Sequence, residues 1–167
     1  MTDDQHLTSL AEQLGQLLVQ RKFTLTFAES CTGGLCAEII TRISGSSAWF
    51  DCGFITYSNQ SKEMLLNVSS NTLSSFGAVS EEVAIEMANG ALSKSPSTLS
   101  ASVTGIAGPT GGSKDKPVGT VCFAWAGINC QPRTATHHFI GNRQQIRLQS
   151  AKTVIEGLIS LTLSLDL

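Results

Sequence analysis

"TLTFAESCTGGLCAEIITRI", residues 24–43, sets the terms on which the chain is read. Thr24 to Ala28 alternates polar and apolar side chains, the period of a half-buried strand. Thr32 to Ile43 carries apolar residues at helical spacing, and "SGSS" at 44–47 is its stop. Between them Ser30, Cys31 and Thr32 precede two glycines. The stretch is a strand-to-helix junction carrying a hydroxyl and a thiol that could both react.

The flanking sequence repeats that alternation. Residues 3–20 put Leu7, Leu10, Ala11, Leu14, Leu17 and Leu18 on one helical face, with Thr2 and Gln5 as a possible capping box. Ala48 to Ser58 is aromatic and β-branched and predicts a strand. Asn59 to Asn67 predicts a short helix ending in a polar break. Ser80 is an N-cap, with Glu81 and Glu82 in the first turn of a helix reaching about Leu92. "STLSASVTG" and "VGTVCFAWAG" predict strands on either side of a long glycine-rich loop. "RTATHHFI" predicts a weaker strand, and Asn142 to Leu163 a closing helix. Interleaved strands and helices, with two consecutive strands late in the chain, predict an α/β three-layer sandwich. Its mixed sheet is flanked by helices in one domain spanning 1–167.

Composition narrows the function. A chain of 167 residues can bury a real core, and a net charge of −2 lacks the basic face that nucleic-acid binding needs. The five cysteines include no Cys-x-x-Cys pair, which fits reduced thiols and neither a disulfide framework nor a zinc site. Cys36, Cys52 and Cys122 lie in apolar runs and read as core residues. No apolar run approaches the roughly 20 residues of a membrane span, and the polar N-terminus is no secretion signal. These features predict a cytoplasmic protein with no membrane or nucleic-acid partner.

At the junction, free backbone N–H groups and two glycines would suit a phosphate or a developing oxyanion. No Walker loop, G-x-G-x-x-G or G-x-S-x-G pattern is present. The residues alone leave catalysis, anion binding and an ordinary turn open. A serine nucleophile needs a base. His6 is near a terminus, and the adjacent His137 and His138 point to opposite faces of a strand. Lys62 is the other option, although on spacing alone it reads as an exposed helix lysine. To act as a base its pKa must fall from about 10.4 to about 7–8. Cys31 at a helix start is a rival nucleophile. Tyr57 closes a strand, "TGIAGPTGG" (104–112) is a second glycine-rich wall, and Arg143 at a helix start is a candidate phosphate clamp.

Four segments in order, "AESCTGG", "GSSAWFDCGFITYSNQSK", "GAVSEEVA" and "TGIAGPTGGSKDKPVGTV", resemble the CinA C-terminal domain family over about residues 5–160. The length is that of its stand-alone nicotinamide-nucleotide amidase type, without the N-terminal domain of fused relatives. The resemblance implies hydrolysis of nicotinamide mononucleotide to nicotinate mononucleotide and ammonia, with no metal or other cofactor. It implies Ser30 as nucleophile, Lys62 as base and Tyr57 as an active-site residue. Thr32, Gly33, Gly34, Thr104, Gly105 and Arg143 are then substrate-binding, with backbone N–H groups around Thr32 to Gly34 meeting the oxyanion. The family's Gly-Asp-Arg is here Gly141-Asn142-Arg143. The resemblance also implies a homo-oligomer, with Trp49, Phe50 and the last helix available to a core or an interface. The competing expectations are a non-catalytic nucleotide-binding or regulatory module and a competence- or DNA-linked protein.

Overall fold

The computed structural model describes residues 3–165. Thr2, half of the expected capping box, lies outside them. Helix α1 (Asp3–Arg21) leads into β1 (Leu25–Glu29), and α2 (Leu35–Thr41) returns to β2 (Phe50–Ile55). Three helices follow, α3 (Asn59–Leu66), α4 (Ser70–Phe76) and α5 (Glu81–Ser93), before β3 (Leu99–Gly105). Strands β4 (Thr120–Gly127) and β5 (Cys130–His138) form a hairpin, and α6 (Arg143–Ser164) closes the chain.

The sheet order is β2-β1-β3-β4-β5, with β1 parallel to both neighbours and β4 antiparallel to β3 and β5. The mixed sheet is thus a parallel half joined to a hairpin. Strands β1 and β4 are buried along their whole length, whereas the edges β2 and β5 alternate. Leu25 and Phe27 on β1 pack with α1, α2 and α6 in the larger core. Ala28 faces the other way, toward Leu66, Val83 and Met87 of α3 and α5. That period-two alternation makes three layers from one sheet.

Parallel pairing brings the carboxyl ends of β1, β2 and β3 to one edge. Glu29 sits level with Ile55 and Val103. Such an edge is where open α/β sheets take ligands. Helix α3 packs close to α5 because residue 90 is glycine. A Cβ at Gly90 would lie 2.1 Å from the Leu66 carbonyl oxygen.

Several expectations need correction. Helix α2 begins at Leu35, because Gly33 and Gly34 take φ of 58° and 98°, outside the helical region. Residues Ser46–Ala48 form a 3-10 turn, so Ala48, expected to open the strand, precedes β2. Helix α4 was not expected. Its sequence, SNTLSSF, buries only Leu73, and the helix relies on its Ser69 cap and on Glu86. The Glu86 carboxylate accepts from the Ser69 amide at 2.7 Å and the Thr72 hydroxyl at 2.6 Å. Cys52 is only half-buried, because β2 is an edge. Trp49 and Phe50, left open between a core and an interface, pack within the chain. Trp49 is buried over Gly15 of α1, and Phe50 packs on Phe27.

Candidate active site

Ser30 follows the last residue of β1, and its amide still donates to the Val103 carbonyl at 3.0 Å, extending the parallel ladder. The chain then turns sharply, with the Gly33 amide donating back to the Ser30 carbonyl at 3.0 Å. Ser30 is thereby thrust out at the carboxyl edge of the sheet. Helix α3 supplies its partner. Ser58 and Ser61 form a reciprocal cap at the start of α3, and Lys62 is the next residue.

Lys62 is 1% exposed, contrary to the exposed lysine that spacing alone suggests. Its Nζ lies 2.9 Å from Ser30 Oγ and donates to the Thr56 carbonyl at 2.6 Å. Burial pushes the ammonium down from its ordinary value to about 8, because charge is disfavoured away from water. Among the described residues no carboxylate forms an ion pair with it. A buried lysine beside a serine hydroxyl, held near neutrality, has the properties of a general base. Burial pushes the adjacent Cys31 thiol the other way, up to about 12. Burial holds that thiol protonated, so Cys31 is a poor nucleophile. His6, His137 and His138 do not line this site.

The cleft has a volume of about 260 Å³, and Ser30, Tyr57, Lys62, Thr104, Gly105 and Arg143 all line it. Arg143 spans its mouth, donating to the Gly108 carbonyl at 2.8 Å and to the Tyr57 hydroxyl at 2.9 Å. Tyr57 is 61% exposed, so it is an open wall of the cleft rather than a packed core residue. Asn142, where the family has an acid, caps α6 by accepting from the Gln145 amide at 3.0 Å. Capping needs only an acceptor oxygen, so the amide side chain performs it as the acid would. In the second glycine-rich segment Ile106 donates to the Thr120 carbonyl, while the amides of Ala107, Gly108, Thr110 and Gly111 donate to no other residue. Thr104 is buried with its hydroxyl on the Ala78 carbonyl at 2.8 Å.

Thr32, Gly33 and Gly34 are not part of that lining. Of the expected oxyanion donors, the Gly33 amide is taken by the Ser30 carbonyl and the Gly34 amide by Glu29. The buried Glu29 carboxylate accepts from the amides of Gly34 at 3.0 Å, Cys36 at 3.1 Å and Ala37 at 3.0 Å. Thr32 Oγ1 donates to the same carboxylate at 2.6 Å. A side-chain anion satisfies the helix start that a ligand was expected to use. Sequence reading passed over Glu29 as one more charge at a strand end. Its signal was a carboxylate a few residues ahead of a glycine-started helix with no Ser, Thr, Asp or Asn at the cap position. Cys31 lines the cleft, and its amide bonds to no other residue.

Residues 7–162 match the family model described as the CinA C-terminal domain. The chain belongs to the CinA C-terminal domain family. It is 51% identical over 148 residues to the nicotinamide-nucleotide amidohydrolase PncC of Enterobacter agglomerans, covering 89% of this chain and 90% of that one. The protein of the same name from Escherichia coli K12 is 49% identical over 158 residues, covering 95% of both chains. The crystal structure of the competence/damage inducible protein CihA from Agrobacterium tumefaciens superimposes with a TM-score of 0.91 at 41% identity, covering 96% of both. The CinA fold therefore accounts for 96% of the chain, and the Ser30–Lys62 cleft lies at the carboxyl edge of its parallel strands. Among the described residues no helix is long and apolar enough to cross a membrane.

Proposed function

We propose that this chain is a nicotinamide-nucleotide amidohydrolase, converting nicotinamide mononucleotide to nicotinate mononucleotide and ammonia. The observation that carries the reading is the 2.9 Å approach of the buried Lys62 amine to Ser30 Oγ. The names of the PncC relatives support the substrate.

The mechanism is acyl transfer. Neutral Lys62 directs one N–H at the Thr56 carbonyl and its lone pair at the Ser30 hydroxyl. As Lys62 takes the proton, Ser30 Oγ attacks the carboxamide carbon and the carbonyl oxygen becomes an oxyanion. The Cys31 amide, next to the nucleophile, is the proposed donor to that oxygen, a contact typically contributing about 3 kcal/mol. Protonated Lys62 then gives its proton to the nitrogen, the C–N bond breaks and ammonia leaves. Water, deprotonated by Lys62, attacks the resulting Ser30 ester. Nicotinate mononucleotide departs as the proton returns to Ser30 Oγ. Arg143 and the unpaired amides of Ala107, Gly108, Thr110 and Gly111 are suited to the substrate's phosphate.

Purified protein incubated with the mononucleotide should release ammonia, and free nicotinamide, which lacks the phosphate, should be far poorer. Because the base must be neutral, kcat/KM should rise about tenfold per pH unit below the Lys62 value of about 8 and level off above it. Tight nucleotide binding without turnover would instead support a binding module. We also expect a homo-oligomer, as the family resemblance implies, and sedimentation velocity reads it directly.

A further inference from the structure

The turn after Ser30 is gripped from two sides at one residue. On the core side, the Glu29 carboxylate accepts from the Thr32 hydroxyl at 2.6 Å as well as from the amides of Gly34, Cys36 and Ala37. On the other side, Arg147 of α6 donates through Nη2 to the Thr32 carbonyl at 2.6 Å. Thr32 is fully buried between these contacts. Arg147 lies one helical turn beyond Arg143, so α6 reaches the cleft through Arg143 and the nucleophile turn through Arg147. Glu29 and Arg147 are absent from the cleft lining, and neither touches Ser30 Oγ or Lys62 Nζ. Gly33 and Gly34 both take left-handed φ, so the backbone here has more freedom than ordinary residues would leave it.

We infer that Glu29 and Arg147 are positioning residues for Ser30, fixing the nucleophile turn through the hydroxyl and the carbonyl of Thr32. This inference rests on the reading of Ser30 as nucleophile. A fixed turn keeps Ser30 Oγ within reach of the Lys62 lone pair, and displacement of a reacting group by about 1 Å can cost about 100-fold in rate. A substrate-binding role would act on KM. A positioning role acts on kcat, because the ground-state contacts of the nucleotide are elsewhere.

The test is a pair of variants and their combination, assayed for ammonia release from nicotinamide mononucleotide. Arg147→Met keeps the stem of a half-buried helix residue and removes only the donor. Its kcat should fall roughly 10- to 100-fold with KM changed less than about threefold. Arg147→Lys, which retains one donor, should recover part of that loss. Glu29→Gln should show the same split, and the double variant should lose less than the product of the two single losses, because both act through Thr32. If Glu29→Gln does not fold, the Arg147 pair decides alone. Unchanged kcat in folded Arg147→Met, or a loss confined to KM or to thermal stability, overturns the inference. If wild type releases no ammonia, the amidase reading fails instead, and the two failures are distinct.

Discussion

Replacing Lys62 with methionine should lower kcat for ammonia release by about 10,000-fold, near the upper end of what general acid–base catalysis supplies. The variant keeps a long unbranched side chain in the same space, so the fold should persist. Stability should change in a way that identifies the amine. Lys62 has its folded pKa depressed from 10.5 to about 8, so the unfolded chain binds the proton more tightly. Wild-type stability therefore rises with pH between about 8 and 10.5 on account of this group. Below that window the folded state carries the full cost of the buried charge, about 3 kcal/mol. Lys62→Met lacks this dependence. Its stability relative to wild type, read by urea unfolding, should improve by about 2 kcal/mol on going from pH 9.5 to pH 7. A parallel pH dependence in the two proteins would show that the amine is not perturbed.

Ser30→Ala should lower kcat by roughly 100,000-fold or more, leaving the nucleotide bound with a dissociation constant near that of wild type. The hydroxyl is the atom that forms the covalent bond, so no neighbouring group replaces it. Cys31 is the obvious substitute, and its thiol is held protonated by burial. Cys31→Ala should accordingly retain turnover, where Ser30→Ala does not. Ammonia release by the two variants at pH 8 separates a serine from a cysteine enzyme. Circular dichroism would confirm that both are folded.

The alternation of strands and helices was legible because the periodicities are strong. Alternation at Thr24 to Ala28 and the helical face of residues 3–20 both became elements with nearly the expected bounds. Boundaries failed where a backbone preference outweighed the apolar pattern, as at Gly33 and Gly34. Helix α4 failed because its stability comes from Glu86, 14 to 17 residues away, rather than from its own pattern.

The site was legible in pieces. Ser30, Tyr57, Thr104 and Arg143 stand at strand ends or a helix start, where a sequence pattern can be read. That Lys62 meets Ser30 could not be read from spacing. The contact exists because β1 and β2 run parallel and α3 folds back over their ends, and only the family resemblance anticipated it. The surroundings of Thr32 to Gly34 were not legible for a related reason. A helix start predicts free amides, but Glu29 takes those of Gly34, Cys36 and Ala37. Whether a helix start is open to a ligand depends on the side chains around it as well as on the backbone.

The central claim is that amide hydrolysis passes through an ester on Ser30. Acid quenching during turnover of nicotinamide mononucleotide, followed by peptide mass mapping, tests it most directly. The account predicts one nicotinoyl-nucleotide mass added to the peptide that holds Ser30, and its disappearance in Ser30→Ala. The same mass on Cys31, or full-rate product formation by Ser30→Ala, would contradict it.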